Sequence, residues 1–296
     1  MYRIAVLHDS PKPTWTSRRL LQAIRELGHK PLYLIASYLT ITSEQQCPLR
    51  YRGKCLNLDA IIVRSLGRSL NIERFLTRIA ALEYLESQGI LVVNPTASLR
   101  ITRDKASMFV RLAKHGIRVP ATVMTENPLE ALRVIREWGK VVIKPVVGSL
   151  GLGSFYVDDV DTGYRIVSLL ASLNQPIYMQ KYIEKKGNRD IRVFIVDEEV
   201  VAAIYRIAPP GMWKTNIAQG AKPVACKPSE EVKEIAIRAA KALGLYYTGV
   251  DLAESIEGVI YVFEANASPL WRGLYRATGV DPSRHIVSMI IRKLKK

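Results

Sequence analysis

The segment at residues 248–269, TGVDLAESIEGVIYVFEANASP, carries the strongest indication of the fold. Its two apolar runs flank a turn at residues 257–258, and this pattern predicts a β-hairpin. A turn centred there places Asp251 on one strand directly opposite Glu264 on the other. Two carboxylates that face each other destabilise a hairpin unless a cation lies between them. Because side chains alternate along a strand, Asn266 shares the face of Glu264.

These three side chains indicate a metal site. Two carboxylates and an amide oxygen are ligands that suit a hard cation such as Mg²⁺ bound to phosphates. The alternative is that Asp251 and Glu264 are solvated residues at strand ends. Both lie within apolar strands, GVDLA and YVFEANAS, and this favours the metal site.

The stretch at residues 144–154, KPVVGSLGLGS, is rich in glycine and follows the apolar run VVI. It is neither GxxxxGK[ST] nor the dinucleotide fingerprint, because no helix is predicted directly after it. A strand follows instead, so the loop is predicted to be a flap whose amide N–H groups cover phosphates, with the charge of Lys144 beside them. On the loop alone, a plain glycine-rich hairpin is an equally good interpretation. The acidic hairpin favours the phosphate flap.

Further residues are candidates for nucleotide contacts. Lys105 opens a predicted helix, and a helix N-terminus favours anions. The backbone of residues 181–183 is a candidate partner for an adenine edge, and Asp190 is a candidate for a ribose hydroxyl. Each has a plain alternative, since Lys105 and Lys181 also fit surface lysines and Asp190 also fits a turn residue.

The order of the predicted elements divides the chain into three parts. Residues 1–98 alternate strand and helix, which predicts a small α/β domain with a parallel sheet. Residues 99–179 form a predicted α+β lobe that contains the glycine flap. Residues 180–296 form a second predicted α+β lobe with a hairpin over 189–206, an irregular loop over 207–228 and the acidic hairpin. A chain of this length is expected to fold as lobes around a shared cleft.

The chain is strongly basic, with 296 residues, a formal charge of +16 and a pI of about 9.8. The charge fits nucleic acid, an anionic substrate in a positive cleft, or a solvated basic surface. The basic residues are spread along the chain and form no arm with interleaved aromatic residues. Nucleic acid is therefore not favoured as a partner.

The composition also bears on location. No apolar run reaches the roughly 18 residues of a membrane span, and the N-terminal MYRIAVLHDS is interpreted as a first strand and not as a signal peptide. The three cysteines, Cys47, Cys55 and Cys226, are an odd number without a CxxC pair. This argues against a disulfide or a metal site and predicts a reduced, cytoplasmic setting.

Together these stretches resemble the ATP-grasp superfamily and, within it, the RimK-like glutamate ligases. The resemblance covers essentially the whole chain, and FEANASP and DIRVFIV are its most specific parts. Other matching stretches are RRLLQAIRELGH, YRGKCLNLDAIIVR, ITRDKASMFVRLAKHGIRVPAT, VVIKPVVGSLGLGS, EVVAAIYR and WKTNIAQGAKP. The resemblance implies an ATP-grasp fold, in which an N-terminal parallel-sheet domain precedes two α+β lobes that clamp ATP. It also implies an ADP-forming ligation of a carboxylate to an amine through an acyl phosphate.

The resemblance further implies roles for individual residues. The residues implied to hold ATP are Lys105, Lys144, Gly148, Ser149, Gly151, Gly153, Gln180, Lys181, Tyr182, Ile183, Asp190, Thr215, Asn216 and Ile217. Two Mg²⁺ ions, with Mn²⁺ as an alternative, are implied to be bound by Asp251, Glu264 and Asn266. The residues implied to act in catalysis are Arg192, Arg206 and Asn216, with the two arginines neutralising the acyl phosphate.

Two departures from the family pattern bear on the substrate. The family loop commonly reads N-x-x-R-G-G, whereas residues 216–221 read NIAQGA, so that Gln219 stands in place of the arginine. The lysine-biosynthesis branch, which uses an amino-group carrier, usually has a tryptophan in its glycine loop, where this chain has Leu150. That branch is therefore the less favoured alternative. The other branches add glutamate to a ribosomal protein tail or to pterin- or deazaflavin-type cofactors, and such acidic acceptors suit a basic protein.

The expected partners are ATP, glutamate or a similar amino acid, and an acidic acceptor, and the resemblance implies a homo-oligomer of two or four chains. Two other functions stay open at this point. A nucleic-acid-binding protein would use the basic surface, and the acidic hairpin argues against it. A kinase-like phosphotransferase would stop at the phosphorylated acceptor, and only analysis of the product separates it from a ligase.

Overall fold

The computed structural model describes residues 1–42, 47, 49–67, 71–148 and 150–295. It combines helices with parallel and antiparallel sheets, so the expected mixed α/β and α+β class is confirmed. The elements that the sequence predicts lie within two residues of their predicted bounds. Side-chain caps explain much of this agreement: Asn71 and Asp104, for example, each accept a hydrogen bond from a backbone N–H in the first turn of the following helix.

The first part of the chain forms a parallel sheet with the strand order β2-β1-β6-β7. Its two central strands, β1 and β6, are buried aliphatic runs, as expected in a parallel sheet covered by helices. The elements of this part are β1 (Arg3–His8), α1 (Trp15–Glu26), β2 (Lys30–Ile35), β3 (Leu39–Ile41), β4 (Leu49–Tyr51), β5 (Lys54–Cys55), β6 (Ala60–Val63), α2 (Ile72–Ser87), β7 (Leu91–Val93) and α3 (Thr96–Arg103).

A small antiparallel sheet of order β3-β4-β5 is an addition that the sequence did not predict. Strands of two or three residues are too short to show a period. Beside it, Cys47 and Cys55 are joined by a disulfide, so the expectation against a disulfide is wrong for this pair. Cys226 is a free thiol.

The central part forms an antiparallel sheet of order β10-β9-β11-β8 with two helices packed on it. The glycine-rich stretch connects β9 to β10, as predicted, so that it is a turn between two adjacent strands. The elements of this part are α4 (Lys105–Lys114), β8 (Thr122–Thr125), α5 (Pro128–Trp138), β9 (Val141–Lys144), β10 (Phe155–Val157), α6 (Val160–Ser172) and β11 (Ile177–Lys181).

The last part forms an antiparallel sheet of order β14-β13-β12-β15-β16, which contains both predicted hairpins. The predicted irregular loop over 207–228 holds one more strand, β14, and a short 3₁₀ turn at Ile217–Gln219. The elements of this part are β12 (Arg189–Val196), β13 (Glu199–Ile207), β14 (Lys222–Ala225), α7 (Glu230–Ala242), β15 (Tyr247–Glu254), β16 (Ile260–Asn266), α8 (Arg272–Thr278) and α9 (Pro282–Leu294).

Two helices, α3 and α8, were not predicted. Helix α3 ends at Arg103, directly before Asp104, which caps α4. The start of α3 has no side-chain cap, so the sequence indicates only the start of α4. Helix α8 contains Gly273, a poor helix residue. A glycine there leaves room for Ile217, because a Cβ atom would lie 2.5 Å from Cδ1 of that side chain.

The buried side chains show which parts pack together. Two core clusters each combine the parallel sheet with the C-terminal sheet: Leu7 and Val193 belong to one, and Val6 and Phe194 to the other. The central sheet has a cluster of its own with α5 and α6. Each of the three predicted parts corresponds to one of the larger sheets. Helix α3 runs across the predicted boundary at residue 98 and strand β11 across the one at 179, and both bounds stay a prediction.

The side chain of Asn94, at the end of β7, joins the first and last parts. It is fully buried, its Nδ2 donates to the carbonyls of Tyr247 and Ala267 at 2.8 and 2.7 Å, and its Oδ1 accepts from the N–H groups of Tyr246 and Tyr247 at 2.7 and 3.1 Å. The hydrogen-bonding capacity of one amide is therefore used to hold β15 and the end of β16 against the parallel sheet.

Candidate functional site

A cleft lies between the central sheet and the C-terminal sheet, beneath the glycine-rich stretch. Residues of both sheets and of the glycine-rich stretch line it. Of the described residues that line it, six are lysine or arginine and three are aspartate or glutamate. The surplus of positive charge suits a polyanionic ligand.

Most of the residues predicted for the site line this one cleft. The lining includes Lys105, Lys144, Gly148, Gly151, Gln180, Lys181, Tyr182, Ile183, Asp190, Arg206, Thr215, Asn216, Asp251 and Glu264. The predicted residues that do not line it are Gly153, Arg192, Ile217 and Asn266. Ser149 lies outside the described residues.

Two lysines form one wall of the cleft. Lys144, at the end of β9, is half-buried, and its Nζ donates to Oε1 of Gln180 at 2.5 Å. Lys105, at the start of α4, donates from Nζ to the carbonyl of Gly148 at 3.3 Å. Within the described part of the chain, neither ammonium group forms an ion pair.

Burial makes both charges costly. It lowers the pKa of Lys144 to about 8, an effect that Lys105 and Lys185 reinforce and that Glu264 opposes. Burial also lowers the pKa of Lys105, although Glu264 and Asp104 act in the opposite direction. An anion placed between these two ammonium groups would stabilise their charged forms.

The glycine-rich stretch, residues 148–153, is called the flap below, and its described residues contact the segment at 213–219, called the crossing segment. Lys214 Nζ donates to the carbonyl of Gly151 at 3.1 Å, and Gln219 Nε2 donates to the carbonyl of Leu150 at 3.3 Å. Gly151 has a φ of +70°, and a Cβ atom on it would lie 2.5 Å from Oδ1 of Asn216. The flap is therefore closed onto the crossing segment, and the contact requires glycine at position 151.

The stretch predicted to contact an adenine edge lies at the end of β11. The N–H of Lys181 donates to the carbonyl of Ala121 at 2.8 Å and that of Tyr182 to the carbonyl of Lys140 at 2.9 Å. Of the three predicted residues, Ile183 is thus the one whose backbone N–H has no such partner among the described residues. The ring of Tyr182 packs edge-on against Tyr156, with 4.9 Å between centroids, and forms an aromatic side of the cleft.

Four charged residues at the floor of the cleft form a continuous network. Arg206 donates from Nε and Nη2 to the carboxylate of Asp190 at 2.7 and 2.6 Å, and Thr215 also donates to that carboxylate. Arg192 donates from Nε and Nη2 to the carboxylate of Asp251 at 2.6 Å each, and Arg206 Nη2 lies 3.0 Å from the same group. The predicted ribose ligand Asp190 is therefore already engaged by protein side chains.

The network fixes the ionisation of Asp251. Burial alone would raise the pKa of this carboxyl, but the positive charges of Arg192 and Arg206 hold it at about 2. Burial opposes the charge of Arg206, and the two carboxylates outweigh it, so its pKa is raised. Asp251 and Arg206 therefore stay charged at neutral pH.

The acidic hairpin has the predicted pair, since Asp251 is directly opposite Glu264 in the register. Asn266 Nδ2 donates to Oε1 of Glu264 at 3.2 Å. Asp251 Oδ2 already accepts from both arginines, whereas Oδ1 accepts one hydrogen bond and keeps a free lone pair. No cluster of three His, Cys, Asp or Glu side chains is present in the described ranges, but the oxygens of Asp251, Glu264 and Asn266 are a donor set that fits Mg²⁺.

Several cleft residues were not predicted from the sequence. The most informative is Lys185, whose Nζ donates to the carbonyl of Trp213 at 3.1 Å and lies 3.3 Å from Oγ1 of Thr215. Burial lowers its pKa. Its neighbour Lys186 pairs with Glu254 at the surface, so that two adjacent lysines with opposite environments look alike in the sequence. The other unpredicted lining residues are Val142, Leu150, Leu152, Ser154, Trp213, Lys214 and Phe263.

Comparison with known proteins gives a consistent result. The model of the RimK-like ATP-grasp domain matches residues 102–290. A probable alpha-L-glutamate ligase of Trichodesmium erythraeum (strain IMS101) is 33% identical over 99% of this chain and 97% of its own length. A probable alpha-L-glutamate ligase of Stutzerimonas stutzeri (strain A1501) is 32% identical over 99% and 95%.

Solved structures agree with these matches. The ATP-grasp ligase PsnB complexed with a minimal precursor is 26% identical, with a TM-score of 0.78 over 98% of each chain. The same ligase complexed with minimal precursor, Mg and ADP is 25% identical, with a TM-score of 0.75 over 99% of this chain and 98% of that chain. The D-cycloserine synthetase DcsG, at 19% identity and a TM-score of 0.73 over 99% of each chain, shares the fold. None of the helices in the described ranges is both long and apolar enough to cross a membrane.

Proposed function

The chain belongs to the RimK-like ATP-grasp family and is an ATP-dependent ligase that forms C–N bonds, and we propose that it joins the amine of glutamate, or of a similar amino acid, to a carboxylate of an acidic acceptor. The observation that carries this proposal is the pairing of two desolvated lysines, Lys105 and Lys144, with the carboxylates Asp251 and Glu264 in one cleft. Lysines of this kind suit a polyphosphate, and the carboxylates suit the cation that accompanies it.

The proposed ATP site follows from the same geometry. Lys105 and Lys144 bind the phosphates, the flap covers them through its N–H groups, and the end of β11 at Gln180–Ile183 meets the adenine. Asp190 and Thr215 lie where the ribose would be, and Asn216 and Ile217 belong to the crossing segment that closes the site. Lys185 and Lys214 are added to the predicted set because both line the cleft with ammonium groups.

Asp251, Glu264 and Asn266 are proposed to hold Mg²⁺, with two ions as the expected number. Bound there, Mg²⁺ would offset the charge on the phosphate oxygens during transfer. Neighbouring side chains hold the two carboxylates of this site in place. Arg192 and Arg206 fix the orientation of Asp251, and Asn266 fixes that of Glu264.

The proposed reaction passes through an acyl phosphate. A carboxylate is a poor electrophile, and transfer of the γ-phosphoryl group to one of its oxygens supplies a leaving group. Attack by the amine on the acyl carbon then forms the amide and releases phosphate, while ADP stays as the other product. Arg192, Arg206 and Asn216 are proposed to stabilise the charge that gathers on the transferring oxygens.

The substrate class rests on the relatives and on charge. The matched relatives are named probable alpha-L-glutamate ligases, and PsnB binds a precursor peptide. An acidic acceptor, such as a protein tail or a pterin- or deazaflavin-type cofactor, would be attracted by a chain of charge +16. The dimeric or tetrameric state and the cytoplasmic location stay predictions.

The proposal is tested by ADP release with glutamate and a panel of acidic acceptors. We expect release that requires both substrates and a product heavier by one glutamyl unit or more. Lys144→Met and Glu264→Gln should each lower kcat/KM by roughly 10²-fold or more, as loss of a group that stabilises transferring charge does. Lys140→Met is the matched control. Lys140 directly precedes β9, the strand that ends at Lys144, but its side chain is exposed and pairs with Glu184.

Three results would contradict the proposal. ADP release without any amine, with a phosphorylated product, would indicate a phosphotransferase. Turnover that survives both substitutions would remove the assigned site. Binding to nucleic acid with a steep salt dependence and no ligase turnover would support the alternative use of the basic charge.

A further inference from the structure

Arg64 is a buried cation outside the described cleft lining. It follows directly after β6 and is 5% exposed. Its Nη1 donates to the hydroxyl of Tyr247 at 3.0 Å, and its Nη2 donates to the carbonyl of Pro269 at 2.6 Å. Among the described residues no carboxylate forms an ion pair with it, and its buried Nε–H has no hydrogen-bond partner.

A role in packing alone does not account for this residue. Burying a cation removes its hydration and is therefore costly unless a counter-charge is present. The ring of Trp271, 4.7 Å from the guanidinium, the two acceptors above and the carbonyl of Ser268, 3.4 Å from Nη2, offset part of that cost. Joining the two sheets needs no charge, as the neutral amide of Asn94 shows beside it. The uncompensated charge and the free Nε–H together point to an anionic ligand.

His8, at the end of β1, is the neighbour of Arg64 in the sheet. The N–H of Arg64 donates to the carbonyl of Leu7 at 2.8 Å, which places the two residues at the ends of adjacent strands. His8 Nδ1 accepts from the N–H of Ser10 at 2.8 Å, so its Nε2 carries the proton and is a donor. Burial, and then the charge of Arg64, lower the pKa of His8.

The place is one where α/β sheets bind ligands. The chain leaves β1 for β2 on one side, and β6 lies on its other side, so the carboxyl ends of β1 and β6 form the topological switch point of the parallel sheet. Asp9, next to His8 in the chain, pairs with Arg78 at 2.9 Å. Burial and the charge of Arg64 lower the pKa of His8 more than the charge of Asp9 raises it.

This point is connected to the proposed reaction centre by direct contacts. Arg64 binds the carbonyl of Pro269, and Gly249 lies between Pro269 and Arg192: a Cβ atom on Gly249 would be 3.1 Å from Cβ of Pro269 and 3.5 Å from Cδ of Arg192. Arg192 in turn binds Asp251. The switch point and the Arg192 side of the proposed reaction centre are therefore joined through two residues, Pro269 and Gly249.

We propose that Arg64 and His8 form a carboxylate-binding subsite, which holds a non-reacting carboxylate of one ligation substrate while the reacting group is at the Arg192 side. The assignment rests on the proposed ligase function and deepens it. The carboxylate belongs either to the amino acid that supplies the amine or to the acceptor, and the two sources are separated by the kinetics below.

The test compares Arg64→Met, His8→Ala and the control Arg111→Met in the full chain. Arg111 also donates to a carbonyl of another element, that of Ala242 at 2.9 Å, and lies outside the site. We expect the KM of one substrate to rise about 10- to 100-fold in both subsite variants, because a charge-assisted contact is lost. The value of kcat should change less, and the Kd of MgATP should stay within about twofold. Arg111→Met should behave as the unaltered protein.

Two further readouts separate binding from packing. The unaltered protein should have a lower KM for the substrate than for an analogue in which an amide replaces the non-reacting carboxylate. Both subsite variants should lose this difference in KM. A rise in KM for glutamate assigns the subsite to the amino acid, and a rise for the acceptor assigns it to the acceptor. His8 is partly exposed, so His8→Ala decides the case if Arg64→Met does not fold.

Binding of L-glutamate without ATP, followed by saturation-transfer NMR, reads the subsite independently of turnover. If the unaltered protein shows no ligase turnover, the proposed function fails, and glutamate binding that Arg64→Met and His8→Ala abolish would still support the subsite. The proposal is overturned if KM values for both substrates and the preference for carboxylate over amide stay unchanged in the folded variants. It is equally overturned if an inactive protein binds neither glutamate nor an acidic acceptor of the panel in a way that the two subsite substitutions abolish.

Discussion

Lys144 is a residue whose physical state makes a direct prediction. Its pKa in the free protein is about 8, below the ordinary lysine value, because it is buried. A bound polyphosphate favours the charged form and raises this pKa. The affinity that the charge contributes is therefore fully present below about pH 8 and is lost as the pH rises through the higher pKa of the complex.

We expect the Kd of an ATP analogue to increase about tenfold between pH 7 and pH 9, as a group with a free pKa near 8 dictates. Lys144→Arg should flatten most of this dependence, because a guanidinium keeps its charge throughout the range. Fluorescence titration at each pH measures the effect. An equally steep curve in the arginine variant would show that another group is responsible.

At the same scale, the sequence indicated which residues meet in the cleft but not which partners they have. Asp251 and Glu264 were expected to attract a cation, and Asp190 a ribose. The structure shows that Asp190 and Asp251 are each bound by an arginine from a neighbouring strand. These pairs depend on the lateral order β13-β12-β15, which no local pattern contains.

At the scale of elements, two bulges decide the pairs. Next to the turn of the acidic hairpin, Leu252 is opposite Val262, and a register shift after Asp251 brings Asp251 opposite Glu264. The predicted pair is therefore present, although the structure does not have the uniform register from which it was derived. In the other hairpin a shift between Phe194 and Ile195 places Asp190 opposite Arg206. Bulges of this kind are common beside functional sites, and alternation alone does not reveal them.

The contact between the flap and the crossing segment gives the prediction at this scale. Gly151→Ala adds a Cβ that would lie 2.5 Å from Oδ1 of Asn216, so that either the flap or the Asn216 side chain must move and their contact is lost. Gly153→Ala is the matched control, since its φ of +69° carries the same strain while its nearest neighbour would be Cγ of Pro145 at 3.5 Å. The difference between the two variants isolates the clash.

We expect Gly151→Ala to increase the dissociation rate of an ATP analogue by about tenfold more than Gly153→Ala, which equals roughly 1.4 kcal/mol of lost closure. The thermal unfolding midpoints of the two variants should agree, because the flap adds little to the core. Stopped-flow displacement measures the rates. Equal rates in the two variants would contradict a role of the crossing segment in holding the flap closed.

At the scale of the whole molecule, the first and last parts share their core, to which α4 adds Met108 and Leu112, while the central sheet has its own with α5 and α6. The βαβ pattern, the central α+β lobe and the two hairpins were predictable because each depends on local periodicity and caps. The shared core was not predictable, because α9 packs on α1 from the opposite end of the chain and Asn94 bonds to residues 246, 247 and 267. Contacts of this range leave no periodic signal.

Asn94→Ala tests this arrangement. The substitution removes the partners of two buried N–H groups and two buried carbonyls, and we expect the free energy of unfolding to fall by about 2–5 kcal/mol. Asn127→Ala, which removes only the exposed cap of α5, should cost about 1 kcal/mol. Urea unfolding measures both. A similar small cost for both variants would mean that Asn94 does not hold the two sheets together.

The central claim is that the cleft activates an acceptor carboxylate by phosphorylation. Its most direct test uses an acceptor labelled with oxygen-18 in that carboxylate, incubated with ATP and glutamate, with mass analysis of the released phosphate. We predict one oxygen-18 atom in the released phosphate for each amide formed. The Glu264→Gln variant should form almost no amide and almost no labelled phosphate. Amide formation with unlabelled phosphate, or with AMP and pyrophosphate as products, would contradict it.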